Sequence, residues 1–311
     1  MEINKYTLEI DNLNKSFKKN KAVDNLSFKV KKGELFGFLG LNGAGKTTTL
    51  SIILGITKKD SGKIIVDGFD IDNSKASEIN RKIGIVFQES ILDEKLTVYD
   101  NLMSRAAMYK QYFNDISVKD LVQKVIDDFQ LQDLLKKSYV SLSGGQRRRV
   151  DIARSLVHQP EILFLDEPTT GLDPTSRELV WSILKKIQDE RHLTILLTTH
   201  YMEEANFCNY AIILQKGQKL AEGTPAELKN KYSKTKVVIY QKQNFILENL
   251  IQDNGGNFAY LNQRYIVEFD SNLNAQSFVL KYGPILNDFE LIKGTMDDVF
   301  LAVTKTKKEE K

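Results

Sequence analysis

Gly40-Leu41-Asn42-Gly43-Ala44-Gly45-Lys46-Thr47, set directly after the apolar run Leu35-Phe36-Gly37-Phe38-Leu39, decides how the rest of the chain is read. The octapeptide fits the pattern GxxxxGK[ST] at the junction of a strand and a helix. Glycines let successive backbone N–H groups converge on phosphate oxygens, and the helix opening near Lys46 aims its positive end at the same anion. Lys46 is placed to reach the outer phosphates of a nucleotide. Thr47 carries the hydroxyl that Mg²⁺ uses, because magnesium takes one or two protein oxygens together with phosphate oxygens and water. Taken alone, the octapeptide also reads as a plain glycine turn.

Outward from this loop, two kinds of periodicity alternate. Residues 1 to about 35 place apolar and polar side chains in turn, as in Leu8-Glu9-Ile10 and Leu26-Ser27-Phe28-Lys29-Val30, which predicts antiparallel strands with a turn at Lys32-Gly33. A short strand follows at Lys63-Ile64-Ile65-Val66, and Ile83 to Phe87 reads as a buried strand ending at Gln88. Between about 93 and 160 the apolar spacing is helical, with Leu121, Val122, Val125, Ile126 and Phe129 as the clearest set, so a helical insertion is expected. Strand and helix alternate again afterwards: Ile162 to Leu165, a helix near 175 to 190, Thr194 to Thr198, a hairpin at Lys216-Gly217 and a short helix after Gly223-Thr224-Pro225. That order describes a parallel sheet covered by helices, closing near residue 230. The polar stretch Asn230 to Lys236 is the expected linker, and beyond it a strand, helix, strand pair, helix, strand and helix predict a small α+β domain of ferredoxin-like order.

Composition sets bounds on function. The chain has 311 residues, 41% hydrophobic and 27% charged, the balance of a globular protein large enough for one large domain or two. No run of about 18 uncharged apolar residues occurs, and the charged start Met1-Glu2-Ile3-Asn4-Lys5 leads into no apolar leader segment, so a cytoplasmic location is expected. Cys208 is the only cysteine, which excludes an internal disulfide and a thiolate-rich metal site. A net charge of +3 over 44 basic and 41 acidic side chains is no signature of nucleic-acid binding. The run Arg147-Arg148-Arg149 has no interleaved aromatics and is expected to form a solvated or ion-paired helix face.

A second glycine pair stands at Leu142-Ser143-Gly144-Gly145-Gln146, at the start of the helical stretch to His158. A serine hydroxyl, bare amides and a helix dipole suit a phosphate, yet one complete phosphate loop is already present, so the spare site invites a second molecule. An N-cap serine before a turn is the simpler reading of those five residues. Downstream, Asp166-Glu167 end the strand Ile162 to Leu165 and His200 ends the strand Thr194 to Thr199. Parallel sheets bind ligands at such strand ends.

With LSGGQ following a phosphate loop, residues 1–230 resemble an ATP-binding-cassette (ABC) ATPase. The fold implied is α/β: a P-loop ABC ATPase domain over 1–230, with a mixed sheet core, an antiparallel β subdomain and a helical subdomain at about 93–160, followed by a small α+β ferredoxin-like domain over 231–311. The resemblance implies that ATP and Mg²⁺ bind, and that two such domains pack head to tail so that Ser143, Gly144, Gly145 and Gln146 of one close on the γ-phosphate held by the other. It assigns Phe17 to adenine stacking, Gly40, Asn42, Gly43, Ala44, Gly45, Lys46, Thr47 and Thr48 to the phosphates, and Thr47, Gln88 and Asp166 to the metal. Glu167 matches the carboxylate that orients the attacking water, Gln88 the glutamine that couples to a transporter partner, Asp173 the loop between the two sites, and His200 the histidine that contacts the γ-phosphate. Lys46, Gln88, Glu167 and His200 form the implied catalytic set.

The C-terminal sequence Thr295-Met296-Asp297-Asp298-Val299-Phe300-Leu301 resembles the closing motif of drug- and polysaccharide-exporter ATPases, as do Thr47-Thr48-Thr49. Met296, Val299, Phe300 and Val303 also fit an amphipathic helix packed on its own domain. Leu41 and Phe87 depart from positions where proline is common in that group, without removing a catalytic group. The implied protein is the energy-coupling subunit of an exporter, working as a dimer with a separate membrane-spanning permease, peripheral on the inner face of the cell membrane. Its docking surface is expected in the helical insertion near Leu96-Thr97-Val98-Tyr99. The competing reading, a soluble cassette ATPase acting on DNA or ribosomes, would require a long coiled coil or a basic aromatic surface, and neither is legible in the sequence.

Overall fold

The computed structural model describes residues 5–309, with side chains described as far as Lys305; Met1 to Asn4, read above as part of a leader-free start, lie outside the described residues. Two compact units divide the chain at residues 1–220 and 221–311.

In the first unit, β1 (Tyr6–Phe17) and β2 (Asn20–Lys31) form a long antiparallel pair, and β3 (Leu35–Leu39) follows with all five residues buried. The phosphate loop leads into α1 (Lys46–Ile53). Next come β4 (Ser61–Val66), β5 (Phe69–Asp70), α2 (Ala76–Asn80) and β6 (Ile83–Val86). The helical stretch contains α3 (Val98–Ala107), α4 (Val118–Asp128) and α5 (Gly144–Leu156). Each begins at a residue chosen for the job: Thr97, Ser117 and Ser143 accept from the N–H three residues on, satisfying a donor that the first helical turn leaves free. The remaining elements are β7 (Ile162–Asp166), α6 (Pro174–Arg191), β8 (Thr194–Thr199), β9 (Tyr210–Gln215) and β10 (Gln218–Gly223).

Two sheets result. The antiparallel sheet runs β2-β1-β4-β5, and the second runs β10-β9-β3-β8-β7-β6 with β9, β3, β8, β7 and β6 mutually parallel. Side-chain alternation along β7 explains the layering. Leu163 and Leu165 join the cluster built by α3 to α6, whereas Ile162 and Phe164 join the opposite cluster with Phe36, Phe38 and the antiparallel sheet. A parallel sheet buried on both faces needs apolar residues at every position, which is why these strands read as unbroken apolar runs. Phe28 of β2 stacks on Phe36 of β3 at 5.4 Å and tilts against Phe38 at 5.4 Å, tying one sheet to the other.

In the second unit, α7 (Pro225–Tyr232) opens on a Thr224–Glu227 capping box. This helix, placed in the first domain by the sequence division at 230, packs on α10 in the second unit. Then follow β11 (Thr235–Ile239), α8 (Phe245–Asp253), β12 (Gly256–Leu261), β13 (Arg264–Phe269), α9 (Asn272–Tyr282), β14 (Phe289–Ile292) and α10 (Met296–Glu309). The sheet order is β12-β13-β11-β14, every neighbour antiparallel. Val237, Ile239, Tyr265, Val267 and Phe269 face Leu247, Ile251, Ala275 and Phe278 of α8 and α9 in its core. Met296, Val299, Phe300 and Val303 are buried, so the closing motif forms an amphipathic helix packed within its own unit. Among the described residues no helix is long and apolar enough to cross a membrane.

Candidate functional site

The carboxyl ends of β3, β7 and β8 bring the first set of predicted residues together. At the end of β3 the loop turns on Gly43, whose φ of +80° favours glycine, and on Gly45 at φ +104°, where a Cβ would run into the Ala22 carbonyl. Lys46 opens α1 and is 5% exposed, with its Nζ donating to Gly40 O at 2.7 Å and Leu41 O at 3.3 Å. Burial pushes the Lys46 ammonium below its ordinary range, and the charges of Glu167 and Asp166 oppose that shift. The lysine is therefore folded against its own loop and faces two acids. Thr47, Asn42 and Gly43 are exposed at the loop surface, Thr48 is half-buried and Ala44 buried.

Asp166 is the last residue of β7 and accepts from the Thr198 hydroxyl on neighbouring β8. Glu167 takes φ +47°, a left-handed conformation uncommon for a side chain of its size. Its N–H donates to Thr198 O and Thr198 Oγ1, each at 3.1 Å, which holds the turn in place. Its carboxylate accepts from Thr170 Oγ1 at 3.1 Å through one oxygen, while the other lies 3.1 Å from His200 Nδ1. That second approach is off the axis of a hydrogen bond, so His200 Nδ1 keeps a buried, unpaired valence. The His200 ring lies against Tyr201 at 4.2 Å.

The signature residues form a separate cluster. Ser143 Oγ accepts from Gln146 N at 3.4 Å and Gln146 Oε1 accepts from Ser143 N at 3.1 Å, a complete capping box at the head of α5. Gly145 is buried against the head of α6, where a Cβ would collide with Ser176 Oγ. Ser176 in turn donates from its N–H to Asp173 Oδ1 at 2.9 Å and from its hydroxyl to Asp173 Oδ2 at 2.6 Å. Those bonds hold the Asp173 carboxyl below its usual range. Ser143 and Gly144 are exposed. Phe17, 48% exposed, ends β1 with its ring under Lys15 Nζ at 5.2 Å, and Gln88 is exposed two residues past β6.

The arginine run does not form the solvated face expected of it. Arg147 donates to Leu142 O and Val140 O, and Arg149 to Phe129 O at 3.2 Å and Gln130 O at 3.3 Å. Arg148 is 7% exposed and donates to Phe87 O and Pro168 O at 2.7 Å and to Asp166 O and Glu167 O at 2.9 Å. A guanidinium carries five donors in a rigid fork, and loop ends at the sheet edge leave carbonyls that no strand partner satisfies. Arg148 and Thr198 are the site residues that motif reading passed over. For Thr198 a signal exists, a hydroxyl closing an otherwise apolar strand; for Arg148 the flanking arginines hide it.

Comparison with known proteins agrees with this arrangement. The ABC transporter family model matches residues 23–170. Over 224 residues the chain is 40% identical to the Nod factor export ATP-binding protein I of Cupriavidus metallidurans, covering 71% of this chain and 72% of that one. It is also 40% identical over 222 residues to the linearmycin resistance ATP-binding protein LnrL of Bacillus subtilis, covering 71% and 70%. Among solved structures, cbiO1 of Clostridium perfringens, part of the ABC transporter complex cbiONQ, superposes with a TM-score of 0.66 at 30% identity over 72% of this chain and 91% of that one. The dimeric post-hydrolysis state of the cassette MJ0796 with ADP and Pi gives 0.63 at 28% identity, over 70% and 98%. Phosphate loop, signature, strand-end carboxylates and these likenesses converge: the chain belongs to the ATP-binding ATPases of the ABC transporters, which couple ATP hydrolysis to transport.

Proposed function

We propose that this ATPase energises an exporter whose membrane-spanning permease is a separate polypeptide, and that two copies close head to tail on two ATP molecules. One observation carries the reading: Lys46, Asp166, Glu167 and His200 converge at the ends of three neighbouring strands, while the signature cluster packs elsewhere, Gly145 lying against Ser176, which is bonded to Asp173. A site split in this way is completed by a second chain. The relatives named for Nod factor export and linearmycin resistance support the outward direction.

The roles follow from the chemistry. Backbone N–H groups from Gly40 to Thr48 and the Lys46 ammonium bind the phosphates, and the exposed Phe17 ring stacks on the base. The donor set fits magnesium, since Thr47, Asp166 and Gln88 offer only hard oxygen ligands. When bound, Mg²⁺ neutralises charge on the phosphates. Glu167 accepts a hydrogen bond from the attacking water and aims it, and His200, with its spare Nδ1 valence, stands beside that carboxylate to contact the γ-phosphate. Asp173 links the two sites. Gln88 faces outward at the edge of the helical stretch, where Leu96 and Tyr99 are each 37% exposed beside Ile91 at 61%, and this surface receives the permease. The partner holds the chain at the inner face of the membrane. The element order and antiparallel sheet of residues 235–292 support a ferredoxin-like reading of the accessory unit.

Isolation of the chain from detergent-solubilised host membranes, with and without ATP, tests the proposal. A co-isolated protein with several apolar spans is the expected result; ribosomal or DNA-bound partners with no membrane protein would overturn it.

A further inference from the structure

The four carbonyls held by Arg148 belong to two different loops. Phe87 immediately precedes Gln88, and Asp166, Glu167 and Pro168 form the turn that carries the catalytic carboxylate. One planar group thus spans the gap between them, from a helix whose first residues are the signature itself. The shell around it is built to keep that group fixed. Asp151, three residues along α5, accepts from Ser90 Oγ at 2.6 Å and from Tyr139 OH at 3.0 Å, so the segment after Gln88 and the segment before the signature are both fastened to the arginine's own helix. Burial dominates both charged groups, drawing the Arg148 guanidinium down and the Asp151 carboxyl up, with each opposing the other's shift through charge.

We infer that Arg148 is a positioning residue for hydrolysis, setting the separation between the Gln88 loop and the Glu167 turn and making both follow the head of α5. The inference rests on the roles given above to Glu167 and Gln88. Glu167 has a left-handed backbone, so its direction depends on what grips its two peptide groups. Thr198 holds the N–H side, and Arg148 at 2.9 Å, with the longer bond from Thr170 N–H at 3.4 Å, holds the carbonyl side. Removal of the Arg148 grip leaves the carboxylate present and charged but held on that side by Thr170 alone, and displacements near 1 Å at a reacting centre cost on the order of a hundredfold in rate. Nucleotide binding draws on other groups: neither the phosphate loop nor Lys46 touches Arg148 through any of its hydrogen bonds.

The test is Arg148→Lys beside Glu167→Gln, in the full chain, with steady-state ATP hydrolysis, ATP affinity by titration and thermal unfolding read on each. A lysine keeps the charge and loses the fork. The expected result is a fall in kcat of about tenfold to a hundredfold with KM and ATP affinity within about twofold. Retention of kcat in Arg148→Lys, with Glu167→Gln inactive, overturns the positioning role and leaves the Glu167 role standing. A full-rate Glu167→Gln instead removes the reading on which the inference depends. Equal losses of kcat, ATP affinity and melting temperature in Arg148→Lys mark it as a folding residue only. Should that variant fail to fold, Tyr139→Phe loosens the same shell from its edge: a fall in kcat of about threefold at constant KM supports the role, and unchanged kcat overturns it.

Discussion

In the proposed mechanism, turnover depends at the smallest scale on a carboxylate held in a strained turn. Glu167 keeps its left-handed φ only because the surrounding bonds over-determine it, at a cost of about 1–3 kcal/mol for such a conformation. Glutamine preserves size and both flanking grips while removing the charge to which the proposal assigns the orientation of water. Glu167→Gln is therefore expected to lower kcat by about 10²–10⁴ and to accumulate an ATP-bound dimer on size exclusion. Unchanged turnover would remove Glu167 from the reaction. A second residue sets a pH limit. His158 is 3% exposed, stacked on Tyr109 at 4.2 Å, with Nε2 3.0 Å from Ile83 O and Nδ1 unpaired. Burial depresses its pKa from 6.5 to about 4. The unfolded chain then binds the extra proton between those values, so stability is full above 6.5 and falls as pH drops toward 4. Between pH 6.5 and pH 5 the loss is about 2 kcal/mol, measurable by urea unfolding, and His158→Gln should show a smaller difference across the same pH interval. These two residues differ in how far sequence announced them. The place of Glu167, directly after an apolar strand, is legible. His158 is not, because nothing in a linear chain says which histidine ends up beneath a tyrosine and against a sheet carbonyl.

At the scale of elements, the head of α5 is where local chemistry and function meet. Ser143 Oγ accepts from the helix at the exposed head of α5. An arginine in its place removes the cap and fills the space a phosphate would need. Ser143→Arg is expected to lower kcat by more than about a hundredfold while the isolated chain binds ATP within about threefold of the parent. Loss of ATP binding by the monomer would mean that the signature acts on its own chain's nucleotide. The strands of the parallel sheet were readable because burial on both faces demands continuous apolar residues, as at Ile162 to Leu165. The caps at Thr97 and Ser117 were equally open to reading but carried no functional motif to draw attention to them. What local pattern could not supply was the neighbour order. β3 lies between β9 and β8, strands far from it in sequence, and only that order brings the phosphate loop beside the β7–β8 pair whose register sets Thr198 next to Asp166. That α7 packs on α10 was hidden for the same reason, since the contact joins segments far apart in sequence.

For the whole molecule, the division of the site between its own two clusters makes a statement about mixtures. A chain with Lys46→Ala lacks the phosphate grip and keeps its signature, whereas Ser143→Arg has the reverse defect. Each alone forms only defective sites. On the proposed head-to-tail closure, a mixed dimer has one intact site, with Lys46 from one chain and Ser143 from the other. Mixing the two variants is expected to restore up to about a quarter of parental ATPase activity if sites act independently, because half the dimers are mixed and each has one sound site of two. Mixing without recovery would argue against sharing of sites between chains. The close approach of Gly145 to Ser176 carries a consequence in heredity. The room for a side chain is shared between the two positions, and Ser176 occupies it. An alanine at 145 should cripple the protein, and selection for regained growth should return changes at 176 that surrender volume, glycine first, although the two residues are separated by the whole length of a helix and a strand. A pair of distant positions would thus be inherited as one locus, readable in the pedigree of revertants.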